Sequence, residues 1–184
     1  IKTADYEGLS IKAAILNQNK KQSEAYEIAK TLMESYADKP NGYLQAVYYY
    51  DQSGDKANAI ATLEKGYINA KNNRKILSRL TNLQLSEKKF DIVENRIKAE
   101  LKSAPDDVEL QLLLTKVYLT ENNIDAAINT LQGAVDNDST LQEPYLILSQ
   151  IYMRKDDKAK AAAIMEEGYV IAKPNRRILV ALTK

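Results

Sequence analysis

The sequence predicts an all-α fold, a right-handed superhelix (α-solenoid) of antiparallel helix hairpins, and three observations predict it. The chain repeats itself every 34 residues without a gap, in segments 6–39, 40–73, 74–107, 108–141 and 142–175. The same kinds of residue recur at fixed places in these segments. Position 20 reads Ala25, Ala59, Val93, Ala127 and Ala161, position 24 reads Ala29, Leu63, Ile97, Leu131 and Met165, and position 11 reads Leu16, Tyr50, Gln84, Tyr118 and Tyr152. Finally, each segment carries two amphipathic stretches with helical spacing around a short polar break, and no stretch alternates as a strand does. A fixed period of this length marks an architecture in which each repeat buries its apolar face only against its neighbours.

In the second repeat Tyr43, Ala46, Val47 and Tyr50 recur at i, i+3, i+4 and i+7. Ser53-Gly54-Asp55 interrupts them, with Gly54 suited to a left-handed residue closing a helix. Ala59, Ile60, Leu63 and Tyr67 then form the second stripe. The fourth repeat has Leu114, Val117 and Tyr118, a break at Asn122-Asn123, then Ala127, Ile128, Leu131 and Val135. The fifth has Tyr145, Leu148 and Tyr152, a break at Asp156-Asp157, then Ala161, Ile164 and Met165. Helix breaks are expected near 19–21, 53–55, 86–89, 121–123 and 155–157. Between repeats, Pro40, Pro105 and Pro174 disfavour helix in the preceding residue, and Asn73 and Asn175 suit N-caps. The whole chain, 1–184, reads as a single array with a partial sixth repeat at 176–184. It opens at Ile1, and Ile178, Leu179, Val180 and Leu182 are apolar where a terminal helix needs a polar outer face. A fragment of a longer chain is therefore expected, or an end covered by another chain.

Residues 54–82 and 156–184 match at 16 of 29 positions, an offset of three repeats. Duplication explains this; a sharper reading is that the basic corners Lys71, Arg74, Lys75 and Lys173, Arg176, Arg177 bind something twice.

These residues resemble the tetratricopeptide repeat, whose pattern has bulky residues at 4, 7 and 11, small ones at 8, 20 and 27, a bulky one at 24 and Pro at 32. The fifth repeat matches with Tyr145, Leu148, Ser149, Tyr152, Ala161, Met165 and Gly168, and the second with Tyr43, Val47, Tyr50, Ala59, Leu63 and Gly66. The third supplies Leu77, Leu80, Phe90 and Pro105, but Gln84 stands at 11 and Glu100 at 27, which predicts looser packing there. The resemblance covers residues 6–184.

Chemistry is narrowed mainly by exclusion. The chain has no histidine and no cysteine, which removes His-based acid/base and nucleophile systems, disulfides and thiolate zinc sites. Phosphate-cradling glycine loops are missing. Asp106-Asp107 and Asp156-Asp157 fall at loops and read as helix caps or solvated turns. No catalytic residue, cofactor or metal is expected. Lys+Arg number 26 and Asp+Glu 25, a balance that gives no reason to expect nucleic acid as partner. No apolar run is long enough to span a membrane. Cysteine-free composition suits a reducing cytosol and an oxidising periplasm alike.

The resemblance implies a non-catalytic scaffold that binds a peptide or helical segment of a protein partner in a concave groove. Positions 2, 5, 6, 9, 12 and 13 of the first helices would line it. These are Gln45, Tyr48, Lys75, Arg79 and Asn82 at a polar and aromatic end, and Leu113, Lys116, Leu119, Ile147, Gln150 and Met153 at an apolar end, with Leu112 and Leu146 divided between groove and packing. Arg79 would hold a partner's carboxylate through its planar fork. Of the family's carboxylate clamp only Lys75 and Arg79 match; Gln45, Ser10 and Ala14 depart from it, so that function is not expected. Tyr50, Tyr118 and Tyr152 read as packing residues, whereas Tyr48 and Tyr49 lie off that stripe. The rival reading is a self-assembly module stacking through its end helices, with a homo-oligomer formed through the C-terminal end. Composition is similar to that of bacterial arrays, some of which serve envelope assembly or polysaccharide export, an analogy of fold alone.

Overall fold

The computed structural model describes residues 2–171, and every regular element among them is a helix. The chain divides into two compact units, Ile1–Lys88 and Lys89–Lys184. The first holds α1 (Lys2–Gln18), α2 (Gln22–Ser35), α3 (Asn41–Ser53), α4 (Lys56–Asn69) and α5 (Arg74–Ser86). The second holds α6 (Phe90–Ser103), α7 (Val108–Thr120), α8 (Ile124–Asn137), α9 (Gln142–Arg154) and α10 (Lys158–Ile171). Each expected break is a corner between helices. Within each unit, helices consecutive in sequence pack on one another, and α1 also touches α3.

Local chemistry explains the corners. Position 15 of every repeat is left-handed: Lys20 (φ 60°), Gly54 (φ 69°), Lys88 (φ 57°), Asn122 (φ 62°) and Asp156 (φ 59°). The next backbone N–H returns to the position-11 carbonyl, as in Lys21 to Leu16 (2.8 Å), Asp55 to Tyr50 (2.9 Å), Asn123 to Tyr118 (2.7 Å) and Asp157 to Tyr152 (2.9 Å). This is a Schellman-type closure that satisfies carbonyls left open at a helix end. Three of the helices that follow, α4, α8 and α10, are capped by side chains. Asp55 accepts from the Asn58 N–H, Asn123 from Ala126 and Asp157 from Lys160. Asn73 caps α5 through the Lys75 and Ile76 N–H groups, and Asp107 caps α7 through that of Leu110. Asp107 and Asp157 are thus caps, as expected. Asn175, Pro174 and the partial sixth repeat lie outside the described residues.

Columns of equivalent positions form the core. Ala25, Ala59, Val93, Ala127 and Ala161 are all buried, and their small size lets paired helices approach. Ala29, Leu63, Ile97, Leu131 and Met165 are buried beside them. Two glycines make closer contacts still. A Cβ on Gly66 would stand 2.5 Å from Tyr43 Cγ, and one on Gly168 would stand 2.7 Å from Tyr145 Cγ. The offset between the two pairs is that of the duplicated stretch, so a tyrosine ring laid on a bare helix backbone accounts for part of the identity. The basic corner's second copy, Lys173, Arg176 and Arg177, lies outside the described residues.

The looser packing expected at Gln84 is not found where α5 meets α4. Gln84 is buried, and its amide donates to Glu64 Oε1 at 3.0 Å. A buried polar group carries little penalty once it is bonded, and a charged acceptor strengthens the bond.

Candidate partner-binding site

In the first unit, residues 28 apart meet across successive first helices. Asn17 of α1 donates its side-chain amide to Gln45 Oε1 at 2.7 Å and to the Gln45 carbonyl at 3.3 Å. Arg79 of α5 forms an ion pair with Asp51 of α3. Both pairs join position 12 of one repeat to position 6 of the next. In the second unit the same two positions, in the fourth and fifth repeats, are Leu119 and Ile147, both half-buried.

These rungs revise the expected roles. Gln45 and Arg79 are engaged by the chain itself, so a partner's carboxylate would have to displace Asp51 from Arg79. Asn82 is half-buried, while Lys75 is exposed. Tyr48 is 51% exposed and is the large aromatic of this face. On α7, Leu113 and Leu119 are half-buried and Lys116 is exposed; on α9, Ile147 is half-buried and Gln150 exposed, and Met153 is 53% exposed. Leu112 and Leu146 are half-buried as well. Sequence reading missed the rungs because it treated each position separately. The signal was present in complementary residues 28 apart: Asn with Gln and Asp with Arg.

A tyrosine cluster was also missed. Tyr49 stacks on Tyr26 of α2, with centroids 4.5 Å apart and planes at 19°. Tyr50 meets the same ring edge-on, and the Tyr26 and Tyr50 hydroxyls lie 2.6 Å apart. That hydrogen bond, with burial and the neighbouring phenols adding to it, pushes the Tyr26 pKa up to about 12. Tyr49 is therefore a packing residue, whereas Tyr48, one step round the helix, faces solvent.

In the second unit Glu94 Oε1 accepts from the Tyr118 hydroxyl at 3.0 Å and pairs with Lys98 at 2.6 Å. The Lys98 ammonium, helped by the Tyr118 hydroxyl, holds the Glu94 carboxyl below its ordinary range despite opposing burial. Glu94 in turn holds Lys98 up, while burial raises Tyr118. Carboxylate oxygens of Asp91, Glu94 and Glu121 lie within 4.8 Å of one another. Of the three, Glu94 already has a cation in Lys98.

Residues 40–67, most of the second repeat, match the family model described as tetratricopeptide repeat. No curated protein sequence matches the chain. Among solved structures, the chain is similar to MamA (41-end) from Desulfovibrio magneticus RS-1, with 20% identity and a TM-score of 0.63 over 90% of this chain and 94% of that one. It is also similar to a tetratricopeptide repeat protein from Parabacteroides merdae ATCC 43184, with 15% identity and a TM-score of 0.68 over 95% and 68%. A third is YrrB, described as a TPR protein with an unusual peptide-binding site, with 14% identity and a TM-score of 0.58 over 93% and 88%.

Proposed function

We propose that this chain, an array of tetratricopeptide repeats, is a non-catalytic scaffold that binds a peptide or helical segment of a protein partner on the inner positions of its first helices. One observation carries the reading. Two rungs, Asn17 with Gln45 and Asp51 with Arg79, engage polar side chains of this face within the chain, while the large side chains of Tyr48 and Met153 remain open to solvent. Tyrosine offers wide contact area at low entropy cost, and Met adapts its flexible thioether to apolar groups of varied shape. Leu113, Leu119 and Ile147 supply an apolar surface for a partner's aliphatic side chains in the second unit. Lys75, Lys116 and Gln150 provide polar flanks, and Gln45, Arg79 and Asn82 act mainly by holding the inner wall in place.

The test begins with a peptide selected from a random library on the immobilised protein, followed by calorimetry. Tyr48→Ala and Ile147→Asp are each expected to weaken binding by about 2 kcal/mol or more, as truncation of a hot spot does. Lys65→Ala, at an exposed site on α4, is expected to change little. Unchanged affinity in both inner-face variants, with helical circular dichroism retained, refutes the reading.

A further inference from the structure

In the second unit a cavity of about 230 Å³ opens where the corner between α7 and α8 meets the C-terminal end of α9. Leu119, Ile124 and Ile151 give it an apolar lining, and Asn122, Arg154 and Lys155 give it a polar one. Its volume is below the range of about 300–1,000 Å³ usual for small-molecule pockets, which suits one side chain and its attached polar group.

Equivalent places in the first unit show what is particular here. Between the second and third repeats, positions 17 and 14 are Lys56 and Glu87, and their ion pair at 3.1 Å spans the place. Between the first and second, position 10 is Tyr49, whose ring is committed to Tyr26. In the second unit the same positions are Ile124, Lys155 and Ile151. The acid that answered Lys56 has become a cation, its partner has become aliphatic, and position 13 adds Arg154. Lys155 approaches only the exposed Asp125, at 3.8 Å, and Arg154 has no ion-pair partner among the described residues. Two cations thus stand over an apolar floor. A guanidinium beside an ammonium favours a carboxylate, and charge-assisted bonds are stronger than neutral ones.

We infer that this cavity takes an aliphatic side chain joined to a neighbouring carboxylate on a bound peptide. The aliphatic group rests on Leu119, Ile124 and Ile151, and the carboxylate meets Arg154 and Lys155. The inference rests on the reading that the chain captures a peptide, but it uses a place that Tyr48 does not touch. The same chemistry comes from a C-terminal residue or from an internal aliphatic–acidic pair.

Three probes separate the cases, titrated into ¹⁵N-labelled protein and followed by NMR: acetyl-Ala-Ala-Leu with a free carboxylate, acetyl-Ala-Leu-Asp-Ala-amide, and acetyl-Ala-Leu-Asn-Ala-amide. At least one acidic probe is expected to shift amides at 119–124 and 151–155, and to bind about tenfold or more tighter than the Asn probe. Whichever acid binds identifies the source. The double variant Arg154→Ala/Lys155→Ala, which alters two exposed side chains, is expected to erase the preference for acid, and Ile124→Asp to erase binding. Equal binding of acid and Asn probes, shifts confined to other residues, or no shifts at millimolar probe each overturn the inference. If Tyr48→Ala and Ile147→Asp leave the selected peptide's affinity intact while the Arg154/Lys155 variant lowers it, the inner-face reading falls and the cavity stands. The opposite pattern removes the cavity and keeps the inner face.

Discussion

Tyr26 shows how one hydroxyl contact becomes a property of the whole chain. Its pKa of about 12 arises first from the hydrogen bond with Tyr50. An unfolded tyrosine ionises near pH 10. Between about pH 10 and 12 the unfolded chain therefore holds fewer protons at this residue than the folded one, and linkage makes stability fall as pH rises. The contribution is fully present below about pH 10. The urea midpoint is expected to drop across this window, and Tyr26→Phe to flatten the drop; an equal slope in both proteins excludes the mechanism. The glycines make a second case. Gly66→Ala and Gly168→Ala each drive a methyl into a buried tyrosine ring, with an expected loss of about 1–3 kcal/mol from overpacking. Gly133 of α8 is the control, since the nearest atom to its added Cβ is 3.9 Å away. Gly133→Ala is expected to stabilise by about 0.5–1 kcal/mol, as Ala does in a helix interior. Thermal melts of the three variants that fall in any other order contradict this account.

The hairpins depend on left-handed corners that only the second repeat fills with glycine. A residue with a Cβ costs roughly 1–2 kcal/mol in this conformation. Glycine gives back part of any gain through its greater freedom when unfolded, about 0.4–1 kcal/mol. Lys20→Gly is accordingly expected to stabilise by about 0.5–1 kcal/mol. Gly54→Ala, whose φ of 69° an L residue adopts only under strain, is expected to destabilise by a similar amount. Denaturant melts with unchanged m-values check both, and a destabilised Lys20→Gly would show that the lysine does more than close the corner. Helix starts lean on shorter-range chemistry, since Asp55, Asn73, Asp107, Asn123 and Asp157 satisfy N–H groups that would otherwise be open.

For the molecule as a whole, the question is whether chains meet each other as well as a partner. Ile11 is 61% and Ile15 50% exposed on α1. These are positions 6 and 10, which in the fifth repeat hold the half-buried Ile147 and the buried Ile151. Covering such a pair yields about 25 cal/mol per Å² of apolar surface. Stacking through end helices therefore predicts concentration-dependent self-association in sedimentation runs, reduced by Ile11→Lys/Ile15→Lys. Equal sedimentation of the parent and the double variant at every concentration removes self-assembly through α1. The C-terminal counterpart, Ile178, Leu179 and Leu182, lies outside the described residues. No helix among the described residues is long and apolar enough to cross a membrane.

The sequence by itself determined the 34-residue period, the helix pairs, the corners and the caps. Each is written in residues a few positions apart: an i, i+3, i+4 stripe, an Asp or Asn before a helix, a glycine at Gly54. The buried alanine column was legible for the same reason, because position 20 recurs in register. Tertiary structure alone decided what lies between repeats. Asn17 meets Gln45, and Asp51 meets Arg79, only because successive first helices lie side by side in one register. Tyr48 and Tyr49 are adjacent in sequence, yet one step of about 100° round a helix sends one to solvent and the other onto Tyr26. Gly66 is an ordinary weak helix residue until the Tyr43 ring lies on it. The cavity lined by Ile124 and Lys155 lies at the positions where Lys56 and Glu87 form an ion pair in the first unit, and it takes shape only when two repeats pack. Local turn chemistry acts through bonded neighbours and so survives in a string of letters; side-chain pairing across repeats depends on distances that only packing sets.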